Sequence, residues 1–264
     1  MPAEAEGTPC WADATVGDLA EAKRFYGELL GWTFGDTLAE HGDYTQAFVD
    51  EKAVAALMPR HSDRMPTGWT LYIASPDAAA TASKIRDNGG TVQVEPMRVG
   101  DFGTMVVATV PGGAAFGVWQ PGSHKGFEAR TVPGAYNWAE VFTRDPEKAD
   151  TFFAAVFGYG VKRMVDGAVD FTLYDLGADP VLGRMKMTDD FPPQAPPYLN
   201  VYFTVADCDA AVEKAKSLGA TLRFGPLTIP FGRFATLTDP DGSPFSLIDN
   251  GTTGGEMPKL EKVK

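Results

Sequence analysis

Thiols, imidazoles and positive charge are all scarce in this 264-residue chain, which has 2 Cys, 3 His, and 23 Lys plus Arg against 35 Asp plus Glu. Cys10 and Cys208 are too few for a disulfide framework or a thiolate metal site, and both read as reduced packing residues. The formal net charge of −12 repels phosphate backbones and anionic lipid. It excludes nucleic acid and membrane surfaces as partners and leaves a small molecule as the expected ligand. The acidic opening Met1-Pro2-Ala3-Glu4-Ala5-Glu6 precedes no apolar run of signal-peptide or spanning length, so the expected compartment is the cytoplasm. What is present is ordinary globular material, 44% hydrophobic and 22% charged, enough for two small domains.

Internal repetition organises the chain. Trp11 to Trp32 aligns without gaps on Trp138 to Tyr159, so that Trp11 meets Trp138, Asp13 meets Glu140, Asp18 meets Asp145, Phe25 meets Phe152 and Gly31 meets Gly158. A second pair begins at Trp69 and Leu199, placing Tyr72 on Tyr202, Asp77 on Asp207 and Gly89 on Gly219. After one deletion the register carries Phe102-Gly103 onto Phe231-Gly232 and Pro111 onto Pro240. The chain is therefore a tandem duplication. Its expected parts are a tail (1–8), a first domain (9–120), a linker (121–133), a second domain (134–250) and a disordered tail (251–264).

Each half divides again into quarters that read strand, helix, then strands. Asp18 is positioned to cap a helix with Glu21 three residues on, and Leu19, Ala22, Phe25 or Tyr26, and Leu29 or Leu30 recur at helical spacing up to Gly31. The third quarter repeats this, with Asp145 as the expected cap and Pro146 at the first helical position. Alternating segments such as TMVVATV, RFATLTD and PFSLID, separated by PGG and DPDG turns, predict antiparallel strands. The expected fold is α+β: four β-α-β-β-β modules forming two curled antiparallel sheets, or cups, with helices outside.

The repeated modules, the helix motifs AKRFYGELLGW and ADTFFAAVFGYG, and the terminus TDPDGSPFSLID resemble the vicinal oxygen chelate superfamily over roughly residues 9–249. That superfamily includes glyoxalase I, bleomycin-resistance proteins, fosfomycin-resistance enzymes and extradiol dioxygenases. The likeness is strongest to two-domain actinobacterial glyoxalase-like proteins, some of them hydroxylases or helpers in antibiotic pathways. In metal-dependent members, His and Glu ligands stand on the first strands of modules and on the final strand. The matching positions here are Trp11, Thr70, Gly117, Trp138, Asn200 and Ser246, none a strong ligand for a divalent metal. His41, His61 and His124 fall in expected loops or the linker. The expectation is no metal and no cofactor.

Strand alternation assigns faces. Ala12, Ala14 and Val16 suit the helix side, leaving Trp11, Asp13 and Thr15 for the cup; Ala139 and Val141 likewise leave Trp138, Glu140 and Phe142. Thr70, Tyr72, Trp119, Asn200, Tyr202 and Ser246 also face inward. Asp13 and Glu140 become the catalytic candidates, because a carboxyl in an apolar cup titrates near neutrality. The alternative is a simple hydrogen-bond acceptor at a strand or rim. Trp11, Thr70, Tyr72, Trp119, Trp138, Asn200, Tyr202 and Ser246 are the ligand-binding candidates, stacking on and orienting a planar molecule; the plainer reading is core filling.

Asp239-Pro240-Asp241-Gly242 begins like a calcium loop but lacks the further acidic ligands, so it reads as a hairpin turn. Two functions of different class are expected. One is a metal-independent binder of an aromatic or polycyclic metabolite or antibiotic, in resistance or secondary metabolism. The other is a metal-free lyase, isomerase or hydroxylase-type enzyme using Asp13 or Glu140 as acid or base. With four modules in one chain, the expected state is a monomer or a homodimer.

Overall fold

The computed structural model describes residues 3–63, 65–166 and 169–263. The first module runs β1 (Pro9–Val16), α1 (Leu19–Leu30), β2 (Thr33–Phe34), β3 (Thr45–Val49) and β4 (Lys52–Pro59). The second runs β5 (Gly68–Ala74), α2 (Ala78–Asp87), β6 (Thr91–Val99), β7 (Gly103–Thr109) and β8 (Ala115–Pro121). The third runs β9 (Tyr136–Thr143), α3 (Pro146–Phe157), β10 (Gly160–Met164), β11 (Phe171–Leu176) and β12 (Asp179–Lys186). The fourth runs β13 (Tyr198–Thr204), α4 (Cys208–Ser217), β14 (Thr221–Ile229), β15 (Gly232–Thr238) and β16 (Pro244–Asp249), and β17 (Leu260–Lys262) follows.

Two sheets result, ordered β2-β3-β4-β1-β5-β8-β7-β6 and β14-β15-β16-β13-β9-β12-β11-β10-β17. The helix of each module carries the chain across, so its first and last strands lie parallel, as β1 with β4 and β13 with β16. The other pairings are antiparallel, including the central β1 with β5 and β9 with β13 that join modules. Among the described residues, no helix is long and apolar enough to cross a membrane.

Local chemistry sets the helix ends. Asp18 accepts from the amides of Ala20 at 2.8 Å and Glu21 at 3.0 Å, and α1 stops at Gly31, whose φ of 72° is left-handed. Asp145 departs from expectation. It sits at the cap position of α3 but makes no side-chain cap bond, because its carboxylate pairs with Lys148 instead. Pro146 leaves one fewer amide there to satisfy.

The two halves meet through their helix sides. Phe25 and Tyr26 of α1 pack on Phe245, with ring centroids 6.0 and 5.8 Å away, and Trp32 and Trp69 pack on Phe203. The duplication repeats the contact, since Phe116 meets Phe152 of α3 at 5.9 Å. The DPDG turn is a docking element as well as a turn. Asp239 accepts from the Tyr26 hydroxyl at 2.8 Å, and Asp241 from the Gly17 amide at 2.7 Å.

The expectation of a disordered tail over 251–264 is corrected. Residues Leu260–Lys262 add to the edge of β10 as β17, and the Lys259 amide donates to Asp166. An open edge with unpaired amides accepts a strand of almost any sequence, so composition did not reveal this pairing.

Candidate functional site

Burial and phenols define the surroundings of Asp13. Strand β1 sits at the centre of its sheet, with Asp13 opposite Ala56 of β4 and Thr70 of β5, and the residue is only 5% exposed. The Tyr44 hydroxyl donates to Asp13 Oδ2 at 3.2 Å and accepts from Trp11 Nε1 at 2.7 Å. Burial pushes the Asp13 carboxyl up to about 7, against the opposing pull of hydrogen bonds from Tyr72 and Tyr44. Gly117 of β8 leaves the space that the Tyr72 ring fills, which a Cβ there would overlap. Thr70 is half-buried on the same face.

The segment 121–133, expected as a linker, is packed along the first sheet. The Phe127 amide donates to the Cys10 carbonyl at 2.7 Å and the Glu128 amide to Ala53 at 2.8 Å. Gly126 permits this approach. Its φ is +112°, and a Cβ there would overlap the Cys10 carbonyl. The packing brings His124 to the cup, where its ring lies 4.4 Å from Trp11 and 5.7 Å from Trp119, and its carbonyl accepts from Trp119 Nε1 at 3.0 Å. Burial pushes the His124 imidazole down to about 4. His41 packs on Phe102 instead, and His61 is exposed.

Glu140 holds the corresponding place in the second sheet, opposite Gly183 of β12 and Asn200 of β13. It is half-buried, and its Oε2 accepts from the Tyr202 hydroxyl at 2.9 Å. Burial pushes this carboxyl too up to about 7, opposed by hydrogen bonds from Tyr202 and Trp138. Gly183 makes room, since a Cβ there would stand 2.8 Å from Glu140 Cγ and 3.0 Å from the Phe171 ring. Asn200 is fully buried. Its Nδ2 donates to Ser246 Oγ at 2.7 Å, Ser246 shares a 2.8 Å bond with Thr236, and Asn200 Oδ1 has no partner.

The structure thus gathers the candidates into two groups: Trp11, Asp13, Thr70, Tyr72 and Trp119 in the first sheet, and Trp138, Glu140, Asn200, Tyr202 and Ser246 in the second. Tyr44, His124, Phe127 and Phe171 were not legible as neighbours, since 121–133 reads as a linker and nothing in its spacing says which surface it meets. A divalent metal needs imidazole or several carboxylate ligands converging. The positions that the resemblance marks for metal ligands carry indoles, hydroxyls, an amide and a glycine, and this donor set does not fit such an ion. Among the described residues, no group of three or more His, Cys, Asp or Glu could hold a metal.

Residues 11–118 and 135–247 each match the family model of the Glyoxalase/Bleomycin resistance protein/Dioxygenase superfamily. The chain belongs to this superfamily. It is 35% identical over 258 residues to CFP32 of Mycobacterium tuberculosis, which is named as a glyoxylase, covering 94% of this chain and 98% of that protein. It is 34% identical over 267 residues to the anthracycline biosynthesis protein DnrV of Streptomyces peucetius, covering 93% and 94%. Among solved structures, it is similar to the 2,3-dioxygenase LapB from Pseudomonas sp. KL28. The TM-score is 0.66 at 16% identity, covering 96% of this chain and 95% of that one. A Mn(II)-bound glyoxalase from Novosphingobium aromaticivorans gives 0.65 at 16% identity, covering 95% and 87%. These two likenesses concern the fold alone.

Proposed function

We propose that this superfamily member binds an aromatic or polycyclic small molecule on the helix-free face of its sheets without a metal ion, in resistance to such a compound or in its biosynthesis. The observation that carries the reading is that Trp11, Thr70, Gly117, Trp138, Asn200 and Ser246 occupy the positions that the resemblance to metal-dependent superfamily members marks for ligands. Rings line the same faces, and burial raises the Asp13 and Glu140 carboxyls beside them to about 7. A protonated carboxyl beside indoles and phenols suits hydrogen bonding to a planar ligand better than cation binding. A relative named for anthracycline biosynthesis fits the same reading.

Native mass spectrometry and elemental analysis of the purified protein test it. A retained organic ligand without metal supports the reading. Near-stoichiometric Ni, Zn or Fe, removed only with loss of activity, overturns it.

One observation favours a second reading, a metal-free acid/base enzyme. Asp13 and Glu140 both titrate at about 7 and both contact a Tyr hydroxyl, the combination a proton-transfer step uses at physiological pH. Asp13→Asn and Glu140→Gln separate the readings. An enzyme loses roughly a hundredfold to ten-thousandfold in rate with little change in affinity. A binder shows no turnover in any form.

A further inference from the structure

The two helix-free faces differ in accessibility at one equivalent pair: Trp138 and Glu140 of the second are half-buried, while Asn200, Ser246 and Tyr202 beside them are 0%, 0% and 5% exposed. In the first, Trp11, Asp13, Tyr72 and Trp119 are 3%, 5%, 6% and 8% exposed. Both indole N–H groups are already satisfied within the protein, Trp11 by Tyr44 and Trp119 by the His124 carbonyl. Tyr44 also donates to Asp13. Tyr44 and His124 together plug this face. Continuing the duplication's register, Tyr44 falls on Phe171, which has no hydroxyl to reach a carboxyl, and His124 falls on Thr253, which has no ring.

Each face keeps one buried polar atom without a protein partner, the ring Nε2 of the plugging His124 in the first and the Asn200 side-chain carbonyl in the second. Trp138 and Glu140 remain partly exposed, Glu140 Oε2 accepts from Tyr202, and the buried Asn200 carbonyl has no protein partner. Rings continue outward from Tyr202 to Phe234, 6.0 Å away, and on to Phe224 at 5.8 Å, which is 53% exposed. A buried amide carbonyl without a partner is costly, and a ligand that donates to it recovers that cost.

We propose that only the second sheet receives ligand, and that the ligand is an aromatic molecule bearing a hydrogen-bond donor, a phenolic hydroxyl or ring N–H, received by Glu140 and the Asn200 carbonyl. This rests on the reading of the helix-free faces as ligand sites, and adds which face is competent and what chemistry it selects. The first sheet serves as a filled scaffold. Of the five tryptophans, Trp138 alone lies in the second half, so it reports on the site by itself.

The test uses the full chain labelled with 5-fluorotryptophan, with Trp138→Phe, Trp11→Phe and Trp119→Phe assigning the resonances. The probes are 2-naphthol and 2-methoxynaphthalene, which share a ring system and differ in the donor. Saturating 2-naphthol is expected to shift the Trp138 resonance and leave those of Trp11 and Trp119 in place. By calorimetry, the methoxy compound should bind about tenfold more weakly. Asn200→Ala should weaken 2-naphthol by a similar factor without affecting the ether. Should that variant not fold, the comparison of the two probes on the unsubstituted chain decides alone. Shifts at Trp11 or Trp119, or equal affinity for the two probes, overturn this inference and leave aromatic binding intact. Absence of saturable binding by either probe overturns both.

Discussion

The imidazole of His124 stands edge-on to the indole of Trp11, with ring centroids 4.4 Å apart and 83° between the planes. One residue comes from the segment joining the two halves and the other from the central strand of the first sheet. Their contact lies in the first sheet, whose carboxyl Asp13 is 5% exposed, whereas Glu140 at the equivalent place in the second is half-buried. His124→Ala removes the ring but retains the backbone bonds around it. We expect a loss of about 1–2 kcal/mol in urea unfolding and a red shift of tryptophan emission as water reaches Trp11 and Trp119. Unchanged emission would show that the ring does not shield them.

Stability should vary with pH in a way that separates the carboxyls from the imidazole. Asp13 and Glu140 titrate at about 7 in the fold against ordinary values of 3.8 and 4.5. Their contribution is fully present below about 4 and is lost as pH rises through about 7. His124, lowered from 6.5 to about 4, contributes oppositely: its share is present above about 6.5 and is lost as pH falls through about 4. Relative to the Asp13→Asn/Glu140→Gln double variant, the unsubstituted protein should lose Tm steadily between pH 4.5 and 7 and run parallel to it above pH 8. Each carboxyl contributes at most about 1.4 kcal/mol per pH unit. Parallel curves across the whole range would contradict the placement of these groups.

Tyr26 ties the halves together. Its hydroxyl donates to Asp239 at 2.8 Å and accepts from Trp69 Nε1 at 3.0 Å. Tyr26→Phe keeps the ring packing but strips a buried carboxyl and a buried indole of a partner, for an expected loss of about 2–3 kcal/mol. Calorimetry of Tyr26→Phe, Asp239→Asn and their combination measures the coupling. Strictly additive losses would mean that the bond is not formed.

Arg184 is fully buried on β12. It pairs with both oxygens of Asp150, at 3.1 and 3.0 Å, and with Asp170, while the Tyr174 hydroxyl donates to Asp150 at 2.7 Å. Arg184→Met leaves Asp150 without its buried counter-charge and should cost about 3–5 kcal/mol. Adding Asp150→Leu should recover much of that loss in the same denaturation assay. A double variant no better than the single one would point to packing of the guanidinium stem instead.

Much of this molecule is decided by short-range rules. The duplication, the helix ended at Gly31 and the turn at 239–242 follow from residue spacing. So does the facing of Asp13 and Glu140 away from the helices, since a strand's two-residue period and a helix's 3.6-residue period are properties of adjacent residues. Tertiary structure alone decided the fate of 121–133, the strand at Leu260–Lys262, the capture of Asp145 by Lys148, and the unequal exposure of the two carboxyls. Each depends on which distant surface a segment finds. Gly126 reaching Cys10 and Tyr44 reaching Asp13 are contacts whose free energy exists only after both sheets have formed, and no local periodicity encodes it.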